Sequence, residues 1–311
     1  MTSAARWTAD HLPELPGKTI VITGGNGGLG YEAASQLART GAHVVLACRD
    51  LRKAQQAIEA IRSVRPGATL DVMELDLANL ASVRAFAEAY RVRHETLDVL
   101  CNNAGVMALP YRKTADGFEM QLGTNHLGHF ALTGLLLEPL LRTNGARVVN
   151  VSSGAHRFGR IRFDDLHWER RYRKWAAYGQ SKLANLLFTY ELQRKLEAAG
   201  SKVMSVGCHP GYAATDLQFA GPRMAGSSVL ELGAGLMNRL FAQSAAMGAL
   251  PILYAVTVSD VRGGDYIGPD GIGEMRGFPK RVRSSARSYN REAARRLWEI
   301  SEALTGVRYA L

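Results

Sequence analysis

The sequence predicts an α/β fold of one domain spanning residues 1–311, a doubly wound parallel sheet with helices on both faces. Three observations predict it. Short β-branched runs alternate with longer helical patterns six times, the runs are apolar on both faces, and no Pro/Ser-rich linker, low-complexity stretch or repeat divides the chain. Strands apolar on both faces belong between two layers of helices. Right-handed crossovers then set the doubly wound order, and ligands sit at the carboxyl ends of the strands.

After an extension of residues 1–14, residues 19–23 (TIVIT) read as the first strand and 30–40 as a helix stopped by Gly41. Strands follow at 43–48 (HVVLAC), 69–75, 97–101 (LDVLC), 147–151 (RVVNV) and 202–208. Helical stretches separate them at 51–64, 80–93, a long 118–141 and 177–199. Two excursions break the rhythm, at 154–176 and, after the sixth strand, at about 215–242. Long connections on that side of a sheet serve as lids or binding loops. A helical tail is expected over about 284–306.

Composition narrows the class. With 47% hydrophobic and 21% charged residues, the chain suits a globular core and is unlike a disordered segment. No window approaches the ~18 apolar residues of a membrane span. The opening residues, with Trp7, Asp10 and His11, lack the pattern of a signal peptide. Cys48, Cys101 and Cys208 each lie in an apolar run, so no disulfide framework is expected and a cytoplasmic location is. The net charge of +10, from 38 basic and 28 acidic residues, is concentrated at 157–174 and 280–296. Neither stretch has zinc-ligand spacing or interleaved aromatics, so a solvated basic surface is expected and a nucleic-acid partner is not.

The first strand runs into Thr23-Gly24-Gly25-Asn26-Gly27-Gly28-Leu29-Gly30, with a helix beginning inside the turn. A sharp turn, close backbone approach to a pyrophosphate and tight helix–strand packing each exclude a Cβ. The helix N-terminus then offers free N–H groups to phosphates. This context predicts dinucleotide binding. At the end of the second strand, an acid would accept from a ribose 2′-hydroxyl and disfavour a 2′-phosphate. Cys48 stands there instead, followed by Arg49, whose fork-shaped cation suits a phosphate. Asp50 dissents, though it also suits the N-cap of the next helix. NADP(H) is favoured over NAD(H).

Ser153 follows the fifth strand, and Tyr178 and Lys182 stand four apart, on one face of a helix. A phenol of pKa ~10 is a poor base near neutrality. An ammonium one turn away is expected to pull that pKa toward the working range.

With these residues in place, the sequence resembles the short-chain dehydrogenase/reductase superfamily, and within it the retinol-dehydrogenase-like and protochlorophyllide-reductase-like branch. The motifs run in the family's order: the glycine turn, Arg49, Asp76-Leu77, Asn102-Asn103-Ala104-Gly105, Asn125-His126-Leu127-Gly128-His129, Ser152-Ser153, Tyr178 with Lys182, and Pro210-Gly211. The long Ser153–Tyr178 separation and the tail containing Arg296-Leu297-Trp298-Glu299 are also similar to that branch. The resemblance covers about residues 15–307 and implies a Rossmann-like fold. It implies that Tyr178 is the general acid/base, and that Lys182 lowers its pKa and binds the nicotinamide ribose. Ser153 would polarise the substrate carbonyl, and Asn125 would hold a helix kink and a water linking Lys182 to solvent. It further implies cofactor contacts from Gly24, Asn26, Gly28, Leu29 and Gly30, from Asp76, Leu77, Asn103, Ala104 and Gly105, and from Pro210, Gly211 and Thr215. Two departures stand out. Gly27 replaces the basic or hydroxyl residue that many NADP-preferring relatives carry, and the hydrophobic anchor of membrane-bound animal members is missing.

Other residues receive plainer readings. His126, His129 and His156 show no metal spacing, and no metal is expected. Cys48 and Cys101 read as small hydrophobes, Ser152 and Ser181 as structural, and Asp164 and Asp165 as surface charges. Phe158, Trp168, Trp175, Leu217, Phe219, Met224, Leu236, Met237 and Phe241 suit a bulky, mostly apolar small-molecule substrate, and could equally close a hydrophobic core under the lid. The expected function is hydride transfer between NADP(H) and a carbonyl or alcohol, in the reductive direction. The alternatives are a non-redox lyase or epimerase, or a cofactor-binding regulatory protein on the same fold. Monomer and homodimer both remain open.

Overall fold

Ile20, Val21 and Ile22 have no exposed surface, and successive side chains enter opposite sides of the sheet. The computed structural model describes residues 6–213 and 243–311. The predicted order holds through β1 (Thr19–Thr23), α1 (Gly28–Ala38), β2 (His43–Cys48), α2 (Leu51–Val64), β3 (Leu70–Glu74), α3 (Leu80–Arg93) and β4 (Val99–Asn102). Next come α4 (Met120–Leu122), a π-helical turn (Gly123–Leu127), α5 (Gly128–Leu135), α6 (Leu137–Leu141), β5 (Arg147–Val151), α7 (Lys174–Ala198) and β6 (Met204–Cys208). After the undescribed stretch come α8 (Ala245–Thr257), β7 (Tyr266–Pro269), β8 (Pro279–Arg281) and α9 (Arg291–Thr305).

The eight strands form one sheet in the order β3-β2-β1-β4-β5-β6-β7-β8. All neighbours are parallel except β7 and β8. Strand order reverses between β1 and β4, which opens a crevice at the carboxyl ends of those strands. Ile20, Ile22, Val44 and Leu46 pack with residues of α1, α2 and α8 on one face. Val21, Val45, Leu100 and Val148 pack with residues of α3, α5 and α7 on the other. The doubly wound α/β fold is therefore present. No helix among the described residues is long and apolar enough to cross a membrane.

Three differences have physical causes. The expected helix over 118–141 is broken into α4, the π-turn, α5 and α6. Asn125 there spends its amide on a neighbouring chain segment, and Gly128 lies so close to Leu77 that a Cβ would meet its carbonyl oxygen at 2.4 Å. Leu136 leaves helical geometry, and Pro139 cannot donate a backbone hydrogen bond. Secondly, α8, β7 and β8 lie outside the six alternations read from the sequence. α8 is buried nearly all round and contains Pro251, while β7 is a four-residue strand ending in Gly268-Pro269. Neither carries a clean period. Finally, the tail helix starts at Arg291, capped by the Asn290 side chain, and ends at Gly306 in left-handed geometry. The proposed lid, with Thr215, lies outside the described residues.

Candidate active site

At the end of β1 the backbone turns through Gly24 (φ +66°) and Gly28 (φ +50°), a left-handed region costly for any side chain. A Cβ on Gly30 would lie 2.3 Å from the Gly24 carbonyl oxygen and 2.6 Å from Asn103 Nδ2, so only glycine fits there. The Thr23 hydroxyl oxygen accepts from the Asn103 and Ala104 N–H groups, each at 2.9 Å, and Asn103 Nδ2 donates to Thr23 O at 2.8 Å. The ends of β1 and β4 are thereby tied together.

A cleft of about 410 Å³ opens above this junction. Gly24, Asn26, Gly28, Leu29 and Gly30 line it from the turn. Arg49 lines it after β2, Asp76 and Leu77 after β3, and Asn103, Ala104 and Gly105 after β4. All the cofactor residues expected before Asn125 thus face one space. Pro210 and Gly211 do not line it, and Thr215 lies outside the described residues. Sequence reasoning missed Lys53, Val106 and Thr124. The four-residue spacing of Arg49 and Lys53 across the start of α2 is the signal that points to Lys53.

Arg49 and Lys53 are both exposed at the cleft rim. Asp50, between them, also lines the cleft: its Oδ1 accepts from the Lys53 N–H at 3.0 Å and caps α2, and its Oδ2 lies 3.9 Å from Lys53 Nζ. That backbone hydrogen bond holds the carboxyl below its usual pKa. The cleft thus combines a helix N-terminus, Cβ-free backbone and two cations, a donor set that fits a phosphorylated dinucleotide.

The other predicted residues gather near Gly105. Ser153, at the end of β5, caps a short 3₁₀ turn (Gly154–Arg157), its Oγ accepting from the Ala155 N–H at 3.2 Å. Tyr178 and Lys182 lie one turn apart on α7, both buried, and the Tyr178 phenol meets the Ser153 side chain. Lys182 Nζ donates to Val151 O at 3.0 Å. The Ser152 hydroxyl donates to Lys182 O at 2.8 Å, and Ser181 Oγ accepts from Asn125 Nδ2 at 2.9 Å. Asn125 also brackets one peptide: its Oδ1 accepts from Val106 N at 2.7 Å and its Nδ2 donates to Val106 O at 2.9 Å. A Cβ on Gly105 would lie 3.1 Å from Asn125 Oδ1 and 3.5 Å from Lys182 Nζ. The missing side chain leaves open the point where these groups converge on the cleft.

Burial pushes the Tyr178 phenol up to about 12 and pulls the Lys182 ammonium down to about 8. The expectation that Lys182 lowers Tyr178 is therefore corrected for this arrangement. Nζ points to Val151 O and stands 5.9 Å from the Tyr178 ring centroid, so loss of hydration dominates.

Two histidines with no role assigned from the sequence brace the site. His156 Nδ1 donates to Ser153 O at 2.6 Å, while its Nε2 accepts from Ser285 N at 3.0 Å. His209 Nε2 donates to Glu274 Oε2 at 3.0 Å, and Glu274 Oε1 pairs with Arg157 at 2.8 Å. The Gly211 N–H points at His209 Nδ1 at 3.3 Å. One plain reading is also corrected, that of Asp165 as a surface charge, and Trp168 takes the core role of its two expected ones. Asp165 is buried, accepting from Glu169 N at 2.7 Å beside Arg162, and Trp168 is only 7% exposed beneath that guanidinium. Both build the excursion's own packing. Phe158 and Trp175 are exposed.

The sequence profile of the short chain dehydrogenase family matches residues 18–223, and the chain belongs to that family. Within it, the chain falls in the retinol-dehydrogenase-like branch. It is 43% identical to retinol dehydrogenase 12 of Mus musculus over 298 residues, covering 95% of this chain and 89% of that protein. It is 42% identical to retinol dehydrogenase 13 of Homo sapiens over 298 residues, covering 94% and 86%. A crystal structure of a Mycobacterium paratuberculosis protein, 44% identical, superposes with a TM-score of 0.82 over 99% of this chain and 100% of that one. The Pseudomonas aeruginosa RhlG/NADP active-site complex, 22% identical, shares the fold at a TM-score of 0.65 over 84% and 98%. The protein is a short-chain oxidoreductase of a family that uses nicotinamide cofactors.

Proposed function

We propose that the protein is an NADP(H)-dependent reductase of a bulky, mostly apolar aldehyde or ketone, of the chemical class to which retinal belongs. The observation that carries the cofactor preference is the rim of the cleft, where the Arg49 guanidinium stands exposed while Asp50 is held by its cap on α2 and by Lys53. A 2′-phosphate would receive charge-assisted hydrogen bonds from Arg49 there. The names of the retinol dehydrogenase relatives and the exposed Phe158 and Trp175 support the substrate class.

Reduced nicotinamide, when bound, supplies the hydride. Tyr178 holds the proton for the substrate oxygen: a phenol pushed up to about 12 is protonated at neutral pH, the form reduction requires. The Ser153 hydroxyl donates to the same oxygen and stabilises the charge that develops on it. Lys182, one turn along α7, is placed to return a proton to the phenol after transfer. Asn125 fixes the Val106 peptide beside Gly105 and keeps that corner open for the nicotinamide end.

Reduced-nicotinamide absorbance tests the reading with NADPH, NADH, all-trans-retinal and a panel of smaller ketones. NADPH consumption with retinal above the small ketones is the expected result. Substrate isomerisation or cleavage without net NADPH consumption would instead identify a lyase or epimerase.

A further inference from the structure

His129 is 2% exposed, stands on the first turn of α5, and contacts neither the cleft nor Tyr178. Its hydrogen bonds have one consistent direction. Nδ1 lies 3.0 Å from Asn125 O, and a carbonyl can only accept, so Nδ1 carries the proton. Burial pulls the ring down to about 4, so it is neutral at working pH and Nε2 is left as an acceptor. Nε2 lies 2.9 Å from the Thr23 hydroxyl oxygen. That hydroxyl has one proton and two candidate acceptors, His129 Nε2 at 2.9 Å and Cys101 O at 3.4 Å, and the shorter contact takes it. The Thr23 lone pairs meanwhile accept from the Asn103 and Ala104 N–H groups. One unbroken chain therefore runs from the β4 junction through Thr23 and His129 to the Asn125 carbonyl.

The position of this chain gives it a purpose. Asn125 sits in a π-helical turn, a geometry rarer and less regular than the α-helix and frequent at functional sites. Thr23 sits where β1 enters the dinucleotide turn. We propose that His129 is a positioning residue for hydride transfer: it pins the Asn125 turn to the end of β1, so that Asn125 and Lys182 keep their register with the cofactor cleft. This rests on the reading that Asn125 and Lys182 serve the reaction.

Two substitutions separate the two ends of the imidazole. Asparagine at 129 places an amide N–H near the Nδ1 position and keeps a donor for Asn125, losing the Thr23 acceptor. Glutamine reaches the Nε2 position and keeps the Thr23 side. His129→Gln should lower kcat with NADPH and all-trans-retinal about tenfold or more, the scale of a small misplacement at a reacting centre. Its Kd for NADPH, from fluorescence titration, should stay within about threefold. His129→Asn, which keeps the Asn125 donor but cuts the link to Thr23, should lose kcat by a similar factor, with the Tm of both variants close to that of the wild type. Losses of kcat that merely track losses of Tm, or no kcat loss in either variant, would overturn the proposal. Wild-type turnover and its loss in Tyr178→Phe test the underlying reading separately. Should no carbonyl be reduced, amide exchange still judges His129. Faster exchange at Asn103 and Ala104 in His129→Asn but not in His129→Gln sustains the bridge, and equal exchange removes it.

Discussion

Arg49→Ala tests the cofactor preference most directly. The guanidinium lies exposed on the cleft rim and forms no ion pair or hydrogen bond among the described residues, so its removal leaves no internal partner stranded. A charge-assisted hydrogen bond is worth about 1.5–3 kcal/mol, and solvent at this rim places the contact toward the lower end. At about 1.4 kcal/mol per decade, NADPH binding should weaken by about one order of magnitude, and by no more than about two. Lys53 remains at the rim and retains part of the attraction. NADH carries no 2′-phosphate, so its affinity should change by less than about twofold, within the small effect of an exposed charge. Isothermal titration of both proteins with both cofactors measures the ratio directly. Repeating it at higher salt should erode NADPH binding more in the wild type than in the variant, since the contact is screened. Equal weakening toward both cofactors, or tighter NADH than NADPH binding by the wild type, would refute the reasoning. The second result would mean that Asp50 leaves its cap to accept from the ribose.

Tyr178→Phe should preserve fold and NADPH affinity while lowering kcat by about 10²–10⁴, because one hydroxyl with a proton-transfer role is deleted; near-normal turnover of a reactive ketone would remove the assignment. Lys182→Ala should reduce both kcat and cofactor affinity by well over the ~1 kcal/mol of a surface pair, since its ammonium is buried beside Asn125 and Tyr178. Unchanged values of both would contradict its role. Glu274 is held down to about 2 by its hydrogen bond with His209 and its pairing with Arg157. A depressed carboxylate stabilises the fold above its ordinary pKa of 4.5, and that contribution is lost as pH falls through about 2. Glu274→Gln should therefore have a lower Tm than wild type near neutrality, with the gap closing across that acid range. A gap independent of pH in thermal melts would count against the ion pair.

What could be read from the sequence was local. β1, β2 and β5 are short runs rich in Val and Ile, and their observed ends match the expected ones. α2 and α3 begin at Asp50 and Asn79 caps that the chain spells out beside the helix. The glycine turn is legible because its constraint is the absence of a Cβ, a property of single residues. Tyr178 and Lys182 are legible because four residues make one helical turn. The π-turn at Asn125 was not: its helical period continues smoothly in sequence, and the break arises where Asn125 brackets the Val106 peptide, 19 residues away. α8, β7 and β8 failed for another reason. A helix buried nearly all round has no polar face to give it a period, and the last two strands, of four and three residues, are too short to show alternation.

The histidines show where local reading stops and why. Each looked featureless in the chain because its partners are remote: Thr23 is 106 residues from His129, Ser285 is 129 from His156, and Glu274 is 65 from His209. An imidazole is well suited to such bracing. In its neutral form it donates from one nitrogen and accepts at the other, so a single buried ring can satisfy a carbonyl and a donor that belong to different elements. Burial enforces that form, pulling His129 and His156 to about 4. Neither ring can then serve as a general acid near neutrality, in keeping with the proton-donor role proposed for Tyr178. The same desolvation that makes these rings useful struts keeps the Tyr178 phenol protonated, so on the proposed mechanism structural rigidity and proton supply draw on one physical cause at this site.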